Sequence, residues 1–260
     1  MKDQAKPQAT QQNASRDEPS HATLNRKASV ELGLIIPALR EAGNLSILLD
    51  RIRQSLDPLG IRYELIVVDD DSRDGTDEVV GEIARSDNRV RLLTRVGERG
   101  LAGAVTHGWR HSEAETLGVM DADLQHPPEL LPQLWKSLQD GADLVVASRY
   151  APQGTAHNWS QSRHLISQIS IWMTLPLQRP GIRVKDPMAG FFLVRRKCIE
   201  GLDLQPQGFK ILLEILVRGK IQSVTEVPFD FGNRLEGSSK AGLRVAIDYV
   251  ILLGKLWWKR

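Results

Sequence analysis

The sequence predicts an α/β protein, a mainly parallel central sheet flanked by helices, and three observations predict it. Five short apolar runs recur through the first 150 residues, helical patterns separate them, and the connections between them are short. Strand and helix alternating in this way build a parallel sheet through crossover connections.

The elements follow in order. Residues 32–37 (LGLIIP) form an apolar run stopped by proline, the pattern of a buried strand. Residues 44–59 show helical spacing, with Leu45, Leu48, Leu49, Ile52 and Leu56 on one face and Asn44 as the expected N-cap. A second buried strand at 65–68 runs straight into Asp69, Asp70 and Asp71, and a helix follows at 76–86. A third strand at 90–94 leads through a loop with Gly97, Gly100 and Gly103 into a helix that runs through Trp109. Residues 116–120 make a fourth strand ending at Asp121, residues 128–139 a helix, and residues 143–148 a fifth strand. Beyond residue 150 the alternation loosens into helices and loops, with one more strand expected at 223–228. Ligands of such sheets bind at the carboxyl ends of the strands. Glu41, the aspartates at 69–71, Arg99 and the segment 121–125 are therefore expected on one edge.

Composition narrows the class. A chain of 260 residues, 41% hydrophobic and 25% charged, is enough for one sizeable core. A net charge of +2 gives no reason to expect a nucleic-acid partner. The one cysteine, Cys198, excludes a disulfide framework, fits a reducing compartment and reads as a buried structural thiol. Residues 1–29 are nearly devoid of large apolar side chains and read as a disordered tail without the apolar stretch of an export signal.

No segment is long enough to span a bilayer; the longest uncharged stretch, residues 165–178, has 14 residues, against roughly 20 for a span. Two segments suit a membrane surface instead. Residues 165–178 set Ile166, Ile169, Trp172, Met173 and Leu177 against Ser167, Ser170, Thr174 and Gln178. Residues 241–260 read as an amphipathic helix, apolar over most of its circumference and closed by Trp-Trp-Lys-Arg. Packing of either helix on the domain's own core is the competing reading.

The strongest chemical signal is Met120-Asp121-Ala122-Asp123-Leu124-Gln125. Two carboxylates one residue apart, with an amide oxygen two further on, offer hard ligands that suit magnesium or manganese. The second is the segment 69–75, with four carboxylates in six residues; that repulsion makes sense if ligands or cations neutralise some of them. Asp74 is assigned to the turn before the helix at Thr76 and Asp70 to the ligand. Arg99 with Gly100-Leu101-Ala102-Gly103 can place N–H groups near a phosphate, but it lacks the third glycine of a dinucleotide fingerprint. His107, His111, His126, His157 and His164 show no metal or triad spacing and read as structural or surface groups.

Taken together these motifs resemble the family-2 inverting glycosyltransferases of the dolichol-phosphate mannosyltransferase group. The ordered set is IPALRE at 36–41, VVDDDSRDGT at 67–76, RGLAG at 99–103, MDADLQHP at 120–127 and ASRY at 147–150. It continues with DPMAGFF at 186–192, GFK at 208–210, EVP at 226–228, Arg234 and Ser239-Lys240. The resemblance implies a GT-A nucleotide-diphospho-sugar transferase domain over residues 30–240. It implies that Pro37, Leu39, Glu41, Val68 and Asp70 hold the nucleoside, and that Asp121, Asp123 and Gln125 bind a divalent metal with Ala122 against the nucleotide. Arg99, Arg149, Lys210, Arg234 and Lys240 would bind the donor diphosphate and the acceptor phosphate, with Asp121, Asp123, Arg149 and Arg234 as the catalytic set. Where the family has an aromatic residue and Asn, this sequence has Leu39 and Arg40.

The activity so implied is transfer of a hexose, mannose from GDP-mannose, to a polyisoprenyl phosphate with inversion. An acceptor phosphate is anionic at neutral pH, so the reaction needs positioning and charge neutralisation more than a strong base. The implied place is peripheral, on the cytoplasmic face of a membrane. Many bacterial relatives continue into transmembrane helices, so the two interfacial segments are expected to dock the protein, alone or with a membrane-protein partner. The competing readings are a polyprenyl-phosphate glucosyltransferase or other family-2 enzyme using a UDP-sugar, and a non-catalytic nucleotide-sugar-binding subunit.

Overall fold

The computed structural model describes residues 29–152, 161–204 and 210–230 and positions 253, 254, 256 and 257. Seven strands form one sheet: β1 (Leu32–Ala38), β2 (Tyr63–Asp69), β3 (Val90–Thr94), β4 (Thr116–Val119), β5 (Leu144–Ser148), β6 (Phe192–Arg195) and β7 (Val224–Pro228). Their spatial order is β3-β2-β1-β4-β6-β5-β7. Among the described residues its α-helices are α1 (Ala42–Leu56), α2 (Thr76–Ser86), α3 (Leu101–Arg110), α4 (Leu131–Gln139), α5 (Gln161–Thr174) and α6 (Ile211–Arg218).

Both faces of the sheet are covered, which is why β1, β2, β4 and β5 are apolar almost without alternation, whereas the edge strands β3 and β7 are only partly buried. Side chains that alternate along each strand feed two separate cores. Leu34, Ile36, Leu65, Val67 and Leu193 pack with α1 and α4 on one face. Ile35, Ile66, Val68, Phe192 and Val194 pack with Trp109 of α3 and Ile211, Leu212, Ile215 and Leu216 of α6 on the other. Cys198 is buried in this second core, and burial pushes its thiol up to about 11.

Strand β6 and helix α6 add to what the sequence pattern announced. β6 is antiparallel to both neighbours, with Val119 opposite Phe192 and Val146 opposite Phe192 on its other side. Its first residue therefore lies beside the last residues of β4 and β5, and the segment leading into it enters from the carboxyl edge. The helix at 44–59 begins earlier, at Ala42, and Asn44 is not its cap. Asn44 is buried inside the first turn and donates to Glu41 Oε2 at 2.7 Å. The helix's first N–H instead reaches Asp74 Oδ2 of the neighbouring loop, 3.2 Å from Ala42 N.

The helix expected at 165–178 is α5 with the turn that follows it, and the polar residues at its carboxyl end face inward. Thr174 and Gln178 are buried and hydrogen-bonded to each other at 3.0 Å, and Gln178 Oε1 accepts from Val184 N at 2.8 Å. Its exposed large apolar side chains are Ile169, Trp172 and Met173, at 52%, 77% and 43%. Of the C-terminal segment, Leu256 is buried against Leu177 and Leu213 whereas Trp257 is 64% exposed. The tail at 1–28, Arg234, Lys240 and most of 241–260 lie outside the described residues, as do His157 and the Gly208-Phe209 pair.

Candidate active site

The loops after β1, β2 and β4 share the carboxyl edge, and four non-glycine residues there hold a left-handed backbone. They are Arg40 (φ 63°), Asp71 (φ 54°), Arg73 (φ 53°) and Leu124 (φ 59°). Among the described residues no other non-glycine side chain does so, and such conformations persist where the surroundings over-determine them.

The aspartate-rich loop after β2 accounts for its own charge. Asp69 accepts from the backbone N of Ser72 at 2.9 Å and from its hydroxyl. Asp71 pairs with Arg73 at 2.9 Å, and Asp74 accepts from Thr76 N at 3.2 Å and Thr76 Oγ1 at 2.7 Å. Asp70, assigned to the ligand by its sequence, is buried instead against Arg95 Nε at 2.8 Å and Gly100 N at 2.7 Å. The repulsion inferred from four clustered carboxylates is relieved by internal donors, so the cluster by itself does not report a ligand.

The same contacts revise the glycine loop. The Gly100 N–H already serves the Asp70 carboxylate, and a Cβ on Gly103 would collide with the Arg95 guanidinium. Gly103 makes room for a buried arginine and Gly100 takes a φ of 128°, while Arg99 is exposed at the loop's end. Val68 is also revised: it is wholly buried facing Gly108 of α3, so its side chain reaches no ligand. Pro37 near the end of β1, and Leu39 and Glu41 on the loop after it, are half-buried, next to β4 in the sheet.

The turn after β4 carries the oxygen donors. Asp121 is 27% exposed at its side chain, whereas Asp123 is buried and its Oδ1 accepts from Gln125 N at 3.2 Å. Ala122 is buried beneath them, and the left-handed Leu124 turns the chain so that 121, 123 and 125 stay together. Gly190 backs onto this turn so closely that a Cβ there would strike the Asp121 carboxylate. Among the described residues no three His, Cys, Asp or Glu side chains form a closed metal cage. Two carboxylates and an amide oxygen are the open, hard donor set that magnesium or manganese completes with phosphate oxygens, so the residues present fit such an ion.

A second cluster lies beside the first. Arg149, at the end of β5, holds the fully buried Asp186 through Nε and Nη2, both 2.8 Å, and through its backbone N at 3.2 Å. Burial opposes the guanidinium's charge, but the Asp186 carboxylate outweighs it and raises the Arg149 pKa. Lys210, at the start of α6, is brought down to about 8, chiefly by burial and then by the Arg149 charge. Asp186 and Asp121 act on Lys210 in the opposite sense, so these four groups share one electrostatic environment.

His126, read from sequence as structural or surface, belongs to this region. It is buried edge-on to Phe191 and tilted against Phe229, with Nδ1 3.8 Å from Asp121 Oδ2. Burial drives it down to about 4, which leaves the imidazole neutral at pH 7. Asp186 and Glu226 were legible only as members of short motifs. Glu226 accepts from Lys185 N at 3.0 Å and Asp186 N at 3.2 Å.

The model of glycosyl transferase family 2 matches residues 34–202, which takes in both clusters as far as Asp186. The chain belongs to this family. Among curated relatives, the dolichol-phosphate mannosyltransferase of Pyrococcus furiosus is 43% identical over 222 residues, 85% of this chain and 62% of that protein. The protein of the same name from Saccharomyces cerevisiae is 39% identical over 239 residues, 88% of each chain. The chain thus spans about three-fifths of the archaeal relative and most of the yeast one. Among solved structures, mannosyl-3-phosphoglycerate synthase from Rubrobacter xylanophilus superposes with a TM-score of 0.67 at 16% identity, covering 87% of this chain and 73% of that one. Glucosyl-3-phosphoglycerate synthase from Mycobacterium tuberculosis, in complex with Mn2+ and UDP, gives 0.62 at 19% identity, covering 90% and 80%. The family-2 chain thus has the GT-A glycosyltransferase fold, a seven-stranded mixed sheet with helices on both faces.

Proposed function

We propose that this glycosyltransferase moves mannose from GDP-mannose to a polyisoprenyl phosphate such as dolichyl phosphate, with inversion at the anomeric carbon. The observation that carries this reading is the adjacency of the oxygen-donor turn to the buried basic pair. Asp121, Asp123 and Gln125 are on one side and Arg149 and Lys210 on the other, close enough for Asp121 to act on the charge of both cations. Two relatives named dolichol-phosphate mannosyltransferase, at 43% and 39% identity, support the donor sugar and the acceptor class.

The division of labour follows from the geometry. Asp121, Asp123 and Gln125 would hold Mg2+ or Mn2+, which when bound supplies Lewis-acid stabilisation of the departing diphosphate. The fold neighbour in complex with Mn2+ and UDP supports a divalent ion of this kind. Pro37, Leu39, Glu41 and Ala122 line the nucleoside side. Arg149 and Lys210 fix the acceptor phosphate, whose oxygen attacks the anomeric carbon as the bond to the nucleoside diphosphate breaks. Because that oxygen is already anionic, no side chain has to remove a proton from it. A single in-line displacement gives a β-linked product from an α-linked donor. Arg99, Arg234 and Lys240 complete the anion-binding set in this reading.

The acceptor's hydrocarbon chain requires a membrane surface. Among the described residues no helix is long and apolar enough to cross a membrane. Helix α5 instead buries Thr174 and exposes Ile169, Trp172 and Met173, and Trp257 is exposed as well. Those side chains support peripheral docking at a membrane surface, which in this reading is the cytoplasmic face, with or without a membrane-protein partner. The test is transfer of radiolabel from GDP-mannose and, in parallel, UDP-glucose to a short polyprenyl phosphate. Organic-soluble label from GDP-mannose is expected. Label from UDP-glucose alone would keep the chemistry and change the sugar, and label from neither would overturn the acceptor class.

A further inference from the structure

We infer that Glu226 and Asp186 form a two-carboxylate relay that positions Arg149 for the acceptor phosphate, an inference that rests on the functional reading above. Asp186 is 0% exposed at its side chain, so it cannot touch a substrate. Its two oxygens instead receive three donations from Arg149, two from the guanidinium fork and one from the backbone. A planar guanidinium gripped along one edge has its remaining edge set in direction, which a lone flexible arginine lacks.

Asp186 is itself held. Glu226 Oε1 accepts from the backbone N–H groups of Lys185 and Asp186, and Oε2 accepts from Lys185 as well at 3.0 Å. Glu226 lies on β7, paired in register with Val146 of β5, and two residues further Pro228 is paired with Ser148. Arg149 follows Ser148 directly. The links therefore close a ring from β5 through Arg149, Asp186 and Glu226 back to β5. A ring closed through a sheet ladder has little freedom, and the arginine at its apex inherits that rigidity.

Position ties the relay to the acceptor. The Arg149 guanidinium lies 5.7 Å from the Tyr150 ring centroid. Tyr150 and Glu226 line a groove of ≈570 Å³ whose apolar walls include Ile171, Trp172, Leu175 and Val184. The relay thus stands between the oxygen-donor turn and an apolar groove, where the phosphate of a lipid would be held. Asp186 and Glu226 are positioning residues; neither reaches the reacting atoms.

The test uses the full chain and two calorimetric affinities, for farnesyl phosphate and for GDP with Mn2+. Asp186→Asn is expected to weaken farnesyl phosphate by roughly 10- to 100-fold, the usual cost of removing a partner that orients a ligand group. Glu226→Gln, which keeps one accepting oxygen, is expected to weaken it by roughly 3- to 10-fold and serves if Asp186→Asn fails to fold. GDP affinity should stay within about twofold of wild type in both. In an Arg149→Ala background neither substitution should add a further loss, because the relay has nothing left to orient. Losses that multiply with Arg149→Ala, or that fall equally on GDP, would overturn the relay and leave a merely structural role. A wild-type chain that binds GDP but not farnesyl phosphate would overturn the acceptor reading itself, and the relay with it.

Discussion

The Arg95 guanidinium meets the Asp70 carboxylate at 2.8 Å with each side chain 4% exposed, a buried ion pair that joins the loops after β2 and β3 to the start of α3. Asp70 also accepts from Gly100 N, and Arg95 Nη2 donates to Gly100 O at 3.3 Å. Breaking a buried pair by removing one partner leaves an uncompensated charge. Arg95→Leu is therefore expected to destabilise the fold by about 3–5 kcal/mol, read as the shift in denaturant midpoint. An unchanged midpoint would show that the pair contributes nothing to the loop.

Gly190 is predicted to matter through Asp121. A methyl group at 190 would displace the carboxylate that it faces, since β-carbon and carboxylate cannot share the space. Gly190→Ala should lower metal-dependent turnover by roughly 10- to 100-fold while circular dichroism stays that of wild type. Full activity in the alanine variant would mean that Asp121 can move without consequence.

Acid should weaken the protein through Asp87. The Arg89 guanidinium, 2.8 Å away at Nη2, is the main cause that brings this carboxyl down to about 2. A carboxyl depressed in the folded state stabilises it fully above the unfolded value near 3.9, and the contribution is lost as pH falls toward 2. Because Arg89 is 36% exposed, the contribution is discounted to about 1–2 kcal/mol. Asp87→Asn should thus cost that amount at pH 7 and almost nothing at pH 2, measured by urea unfolding. A cost that is independent of pH would contradict it.

Helix α5 is predicted to act at a lipid surface. Ile169→Ser with Met173→Ser removes two apolar side chains that are 52% and 43% exposed. Each large side chain inserted is worth about 1.5–3 kcal/mol at most, so the pair should lower partition onto anionic vesicles by roughly tenfold or more. Unchanged co-sedimentation would remove α5 from the docking surface.

Much of this architecture was legible in the sequence, because β1, β2, β4 and β5 are buried on both faces and carry uninterrupted apolar runs, while the edge strand β3 is only partly buried. The turn of oxygen donors was legible too, since Asp121 and Asp123 directly follow the apolar run of β4 and the structure places them at its carboxyl end. Two things were not. β6 runs against its neighbours, so its contribution to the edge, Asp186 and Gly190, comes before the strand, where a rule about residues after strands does not look. The partners of Asp70 were also hidden, since Arg95 and Gly100 lie 25 and 30 residues away and only the sheet order brings them together. His126 shows the same limit, because burial against Phe191 and Phe229 from distant elements is what defines it.

The most direct test of the account is the metal dependence of mannosyl transfer in wild type and Asp123→Ala, assayed with EDTA and then with Mn2+ restored. The account predicts that EDTA abolishes wild-type transfer and Mn2+ restores it, whereas Asp123→Ala stays folded and inactive in both conditions. Turnover at the wild-type rate in EDTA, or in Asp123→Ala, would contradict the assignment of the turn after β4 as the centre of the reaction.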